Sequence, residues 1–205
     1  MFNSDARQDE FVANLLKFKK NGYFLDIGSC DSIGSNNTFF FESLDWNGVC
    51  VEIEERYNSS YERRRCHYLN KDALQIDYEK LFLNKNFPND IDYLSLDIDS
   101  LSYDVLTKLP LDKYKFKAIT IEHDFYLYGL EYKQKQIDYL NNKGYFLLCE
   151  NVYVQQAGFD KEGCPFEDWW VHPSFFDDKF LSKFKCSNKY PSEIVEILKK
   201  YSENE

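Results

Sequence analysis

The sequence predicts an α/β fold: a mostly parallel β-sheet with helices on both faces, in one domain spanning residues 1–205. Two observations carry that expectation. Short apolar runs alternate with helical segments, strand then helix, along most of the chain. The runs are near-continuously apolar instead of alternating with polar residues, as strands buried on both faces are. A chain of 205 residues is long enough to bury a real core.

In order, Ser4 can cap a helix running to about Lys20, with Phe11, Leu15 and Phe18 on one face and Asn21-Gly22 ending it. YFLDI, from Tyr23, is the first strand. Ser35 to Leu44 reads as helical, GVCVEI as the second strand, Glu54 to Arg64 as a helix and CHYLN as a short third strand. Tyr78 to Leu83 is helical and IDYLSLDI is the fourth strand. Leu101 to Leu109 is a helix stopped by Pro110, because proline cannot continue a helix. KAITIEH is the fifth strand, Glu131 to Asn142 a helix ended by Lys143-Gly144, and YFLLCENVYVQQA one long strand or a hairpin. After about residue 158 the alternation breaks into an irregular aromatic segment, followed by a capping helix over roughly Ser192 to Tyr201.

Composition excludes several classes. The net charge is -10, whereas a surface that tracks phosphates needs clustered Lys and Arg. The dense basic cluster, Arg63-Arg64-Arg65, falls at a helix end and reads as solvated, so nucleic acid is not an expected partner. No apolar stretch approaches the roughly 20 residues that span a bilayer, and the N-terminus lacks the apolar core of a signal peptide. The closest pair among the six cysteines is 15 residues apart, so no CxxC pattern exists and reduced thiols in a cytoplasmic setting are expected.

In open α/β sheets ligands sit beyond the carboxyl ends of the strands. Asp26-Ile27-Gly28 lies at such an end. The following loop lacks both G-x-G-x-x-G and G-K-[ST], which disfavours a dinucleotide or a phosphate cradle. The second strand ends in Glu52, where a carboxylate can accept both hydroxyls of a ribose, and Asp72-Ala73 after the third strand can reach an adenine amino group. Acids at successive strand ends suit a positively charged nucleoside such as S-adenosylmethionine. Each acid alone reads equally well as a turn residue.

At this point a resemblance emerges. FLDIGSCDSIGSNNTFFFESLDWNGVCVEI, then IDYLSLDIDSLSYDVL and ITIEHD, resemble the FkbM family of S-adenosylmethionine-dependent O-methyltransferases, and SDARQDEFV resembles that family's lead-in, with Asp5 standing where Gln is usual. The likeness runs from about residue 4 to 157 and is similar in wording to giant-virus and bacterial glycan-modifying members, which would place a viral protein in the host cytoplasm. It implies a seven-stranded Rossmann-like methyltransferase sheet. Around the cofactor it implies Asp26, Gly28, Glu52 and Asp72, with Gln8, Ser29 and Ala73 beside them, and as acceptor a hydroxyl of a sugar or of a polyketide ring.

Asp97 and Asp99 lie on one side of an extended chain, and the next strand ends Glu122-His123-Asp124. Neighbouring strands are about 4.8 Å apart, so these tips can form one cluster. A sugar hydroxyl is a poor nucleophile and needs a base, a metal, or both. A further resemblance, to metal-dependent macrocin-type sugar O-methyltransferases, implies Mg²⁺ or Mn²⁺ held by Asp97 and Glu122, with His123 or Asp124 as third ligand and Asp99 as base. In the metal-free alternative Asp99 or His123 alone takes the proton, and Asp99 also reads as a helix cap. Tyr126 and Tyr128 are placed to line a substrate mouth or to pack. Trp169, Trp170 and His172 can stack on a sugar face or form core under a long loop. The competing readings are a non-catalytic nucleoside-binding or scaffold domain, and a nicotinamide oxidoreductase weakened by the missing glycine fingerprint. Oligomeric state is not readable from the chain.

Overall fold

The computed structural model describes residues 1–123, 125–154 and 163–202. Among them, eight strands form one sheet: β1 Tyr23–Ile27, β2 Asn47–Glu52, β3 His67–Asn70, β4 Asp90–Leu96, β5 Lys115–Glu122, β6 Phe146–Val154, β7 Cys164–Val171 and β8 Cys186–Lys189, in the order β3-β2-β1-β4-β5-β7-β6-β8. Every pairing is parallel except those of β7, which runs antiparallel to both β5 and β6. The helices are α1 Gln8–Leu15, α2 Tyr78–Asn84, α3 Ser102–Leu106, α4 Phe125–Tyr128, α5 Leu130–Asn142, α6 Asp178–Phe184 and α7 Pro191–Ser202.

The sheet divides the core into two layers. Phe24, Tyr93, Ala118 and Trp169 point to one face, where they meet α1, α6 and α7 through Phe11, Phe180 and Leu198. Leu25, Leu94, Ile119 and Trp170 point to the other, against Phe82 of α2, Val105 of α3 and Leu140 of α5. Successive residues face opposite ways along a strand, so an apolar run is the sequence signature of both layers at once.

The segment expected to be irregular holds β7, α6 and β8 instead. The seven expected strands become eight, and β7 enters the sheet between β5 and β6. Adjacent Trp169 and Trp170 anchor it, one in each layer and both fully buried. Each removes roughly 150–250 Å² from water, and Trp169 stacks on Phe11 at a ring separation of 4.2 Å. They are core residues and present no face to a sugar. His172 is placed away from the carboxyl ends too: its backbone N–H bonds to Lys117 O near the amino end of β5, and its ring accepts from Ser174 N to cap the turn Pro173–Phe175.

Helix boundaries also differ. α1 ends at Leu15, and Lys17 and Phe18 take left-handed backbone where the expected helix continued. Phe39–Leu44 and Glu55–Arg63 are 3₁₀ helices. In the second, Asn58, Ser59 and Ser60 favour local turns over a helix interior, and Tyr61 alone of its residues is buried.

Candidate active site

Gly28 sets the geometry at the carboxyl ends. Its φ is +80°, and a Cβ there would lie 1.7 Å from the carbonyl oxygen of Asp97. The tips of β1 and β4 touch backbone to backbone, which only glycine permits. Gly28 also lines the cavity beside it.

Beside Gly28 opens a cavity of about 330 Å³ lined by Glu52, Asp72, Ala73, Asp97, Asp99 and Tyr57, among others. Glu52 is buried, and its two oxygens accept backbone N–H bonds from Cys30 at 2.9 Å and Glu54 at 2.8 Å. Those bonds fix the carboxylate and leave lone pairs for a diol, since an ionised carboxylate offers about four acceptor sites. Asp72 accepts from Leu74 N and caps the turn Ala73–Gln75, holding Ala73 against the cavity. Desolvation, and then the Glu52 carboxylate, push the Cys30 thiol up to about 12, which makes it a poor nucleophile.

Asp26 and Ser29 line neither this cavity nor the next. Asp26 is buried in β1 and accepts from Thr38 Oγ1 at 2.8 Å. Burial pushes its carboxyl up to about 6, opposed by hydrogen bonds from Thr38 and Ser95. Ser29 accepts from the Tyr61 hydroxyl at 2.7 Å. Both therefore hold the loop in shape. Asn36 organises that loop: its amide donates to Ser29 O and Asp31 O, and its oxygen accepts from Thr38 N and Phe39 N. Arg64, read from the sequence as solvated, is buried and bonds Glu42 at 2.6 Å and Asn36 at 3.1 Å. No short-range signal marks this pair, because its members are 22 residues apart.

A second cavity, of about 570 Å³, is walled by residues 5–8, Ser35 and Asn37, Tyr153 and Val154, Phe166, and Tyr190 to Ser192. Asp97 lines both cavities. Gln8, expected at the cofactor, stands here instead, with its side-chain oxygen accepting from Ala6 N. Asp5 accepts from Ser35 Oγ at 2.9 Å, and Asn37 donates to Ser95 Oγ at 3.0 Å. Behind the wall, Glu167 is buried and accepts from Trp169 Nε1 at 2.8 Å. Burial pushes its carboxyl up to about 8, with the Asp97 charge adding to the shift. Glu167, Tyr153 and Tyr190 were not singled out from sequence. Two of the three lie in the segment read as irregular.

The expected metal set does not assemble. Among the described residues no group of three or more His, Cys, Asp or Glu is arranged to hold a metal ion. His123 is fully buried: Nδ1 accepts from Phe125 N at 3.3 Å, and Nε2 faces Asp168 at 3.6 Å. Glu122 is buried opposite Glu167 in the β5–β7 register. Neither lines the first or the second cavity, so the described residues, which leave out Asp124, do not fit the metal. Asp99 is exposed, has left-handed backbone (φ 51°), and lines only the first cavity. It begins the turn Asp99–Leu101 without capping it through its side chain. Tyr126 lies on α4 and lines neither cavity. Asp124 and the Tyr128 side chain lie outside what the structure describes.

No protein-family model matches the sequence, and no curated protein matches it. Solved structures do match. An O-methyltransferase from Bacillus cereus in complex with SAH is 14% identical with a TM-score of 0.58, over 83% of this chain and 83% of that one. The O-methyltransferase TomG from Streptomyces achromogenes, in complex with SAM, is 14% identical with a TM-score of 0.57, over 83% and 82%. A putative rRNA-methylase from Clostridium thermocellum is 13% identical with a TM-score of 0.51, over 84% and 97%. The chain therefore has the α/β Rossmann-like fold of S-adenosylmethionine-dependent methyltransferases, with one antiparallel strand in a mostly parallel sheet.

Proposed function

We propose that this protein is an S-adenosylmethionine-dependent O-methyltransferase acting on a hydroxyl of a sugar or glycan, of the FkbM type that its motifs resemble. The observation that carries the reading is that two cavities at the carboxyl ends of the strands meet at one carboxylate, Asp97. In this assignment the first cavity takes the cofactor, with Glu52 accepting the ribose hydroxyls and Asp72 and Ala73 flanking the adenine. Bound there, S-adenosylmethionine supplies an electrophilic methyl group. The second cavity takes the acceptor, and Asp97 removes the proton from its hydroxyl as a general base. This role moves from Asp99, which touches the first cavity alone.

The second cavity suits a polyol. Asp5, Gln8, Ser35 and Asn37 supply donors and acceptors, and Tyr153 and Tyr190 supply aromatic surface. RNA is disfavoured: Arg7 is the one cation among the described lining residues, it pairs with Glu10, and the chain carries -10. The test offers radiolabelled S-adenosylmethionine with a panel of glycosides and with RNA, each with and without EDTA. Methyl transfer to a glycoside, insensitive to EDTA, is expected. Transfer to RNA alone would overturn the acceptor class. Calorimetry that detects NAD but no S-adenosylmethionine would overturn the reading entirely, and cofactor binding without any transfer favours the nucleoside-binding alternative.

A further inference from the structure

Outside both cavities, two thiols meet. Cys50 lies in β2 and is fully buried; Cys66, just before β3, is half-buried and packs on the same core layer. Cys66 Sγ stands 3.5 Å from Cys50 Sγ and donates to it. β2 and β3 are neighbours, with Val49 opposite His67 and Cys50 opposite Tyr68. A disulfide bond is about 2.05 Å long, so the two sulfurs need close by only roughly 1.5 Å to be joined.

The two cysteines are unlike in reactivity. Thr38 Oγ1 lies 3.7 Å from Cys50 Sγ, and Arg64 Nη2 donates to that sulfur at 3.9 Å. Burial, and then the hydrogen bond from Cys66, push the Cys50 thiol well above its ordinary value, so it stays protonated until a partner reacts. A buried thiol is a poor first nucleophile. Cys66 reaches solvent and is the one an oxidant meets. The span between them, residues 51–65, supplies Val51, Glu52, Ile53, Glu54, Arg56 and Tyr57 to the lining of the first cavity. Its 3₁₀ helix, Glu55–Arg63, buries Tyr61 alone, so few core contacts restrain it.

We propose that Cys50 and Cys66 are a redox modification site: hydrogen peroxide joins them in a disulfide that closes residues 51–65 into a loop and restrains the wall of the first cavity. The Cys66 thiolate attacks the peroxide and the O–O bond breaks. Its sulfur keeps one oxygen as a sulfenic acid, and the other leaves as hydroxide and takes up a proton to give water. The Cys50 sulfur then attacks the sulfenic sulfur. The S–O bond breaks, and the hydroxyl leaves as water with the Cys50 proton. Two thiols together lose two electrons, and one peroxide gains them. Exchange with a dithiol reverses the bond. The proposal does not depend on the methyltransferase reading.

The reduced full chain and Cys66→Ser, each treated with stoichiometric hydrogen peroxide and digested without reductant for mass spectrometry, test it. Peptides joined through Cys50 and Cys66 are expected in the parent and are separated by dithiothreitol. The closed loop should raise the thermal midpoint by about 5–10 °C and slow amide hydrogen exchange over residues 51–65. Cys66→Ser should show neither change. The other neighbouring thiols, Cys149 and Cys186, are register partners in β6 and β8. A bridge between those two alone, Cys66 recovered as a lasting sulfenic acid, or a midpoint rise that Cys66→Ser retains would each overturn the proposal. A bridged protein with native midpoint and native exchange would overturn the restraint. The parent's peptide map decides the linkage even if Cys66→Ser fails to fold.

Discussion

The two halves of the sheet build their ends differently. In β3-β2-β1-β4 every pairing is parallel, and the cavity at the carboxyl ends is lined by four stretches, one at the carboxyl end of each of these strands. Glu52 is held by Glu54 N, and Asp72 by Leu74 N. In β5-β7-β6-β8 an antiparallel strand interrupts the order, and the cavity there gathers its wall from six separate stretches between Asp5 and Ser192. In the proposed assignment the cofactor site lies at the tips of neighbouring parallel strands, the acceptor site gathers segments far apart in the chain, and Asp97 lines both cavities.

The largest expected effect comes from cutting that junction. Asp97→Asn keeps the shape and removes the base, so turnover should fall by about 10²–10⁴, the usual worth of a positioned base. Affinity for S-adenosylmethionine should stay near native by calorimetry. Full turnover would return the base to another group, Asp99 first.

Gly28→Ala tests whether the two tips are welded by backbone contact. The added methyl would meet Asp97 O at 1.7 Å on backbone with φ +80°, so a stability loss of roughly 3 kcal/mol or more is expected in urea unfolding. A variant that is native in stability but deficient in cofactor binding would instead assign the glycine to the ligand.

Glu52→Ala sharpens the local half. It removes the ribose acceptor, and affinity for S-adenosylmethionine should drop by about tenfold or more. An unchanged titration would move the ribose elsewhere.

Glu167→Gln probes the packed half, through pH. The folded-state carboxyl is pushed up to about 8 from an ordinary 4.5, so above about pH 4.5 the folded state binds more protons than the unfolded one. The stability Glu167 contributes is therefore full below that pH and is lost as pH rises through about 8. The variant should lose less stability across this window than the parent, while both keep the slope from Asp26, which is pushed up to about 6. Parallel urea-midpoint profiles for the two proteins would show that Glu167 titrates normally.

The sequence by itself determined the first five strands, the α/β class, the Gly28 loop and the acids Glu52 and Asp72 at the tips. Each of these rests on short-range physics: an apolar run buried on both faces, a turn that needs a positive φ, a side chain capping the residue two ahead. Only the tertiary structure decided that β7 enters antiparallel between β5 and β6, that Trp169 and Trp170 divide between two core layers, and that Arg64 is buried on Glu42. It likewise placed Gln8, Tyr153 and Tyr190 around one cavity and buried His123 against Asp168. Those outcomes depend on strand order and on contacts between residues tens of positions apart. Local preference carries no record of them, because loop closure and burial of a shared core select the partners.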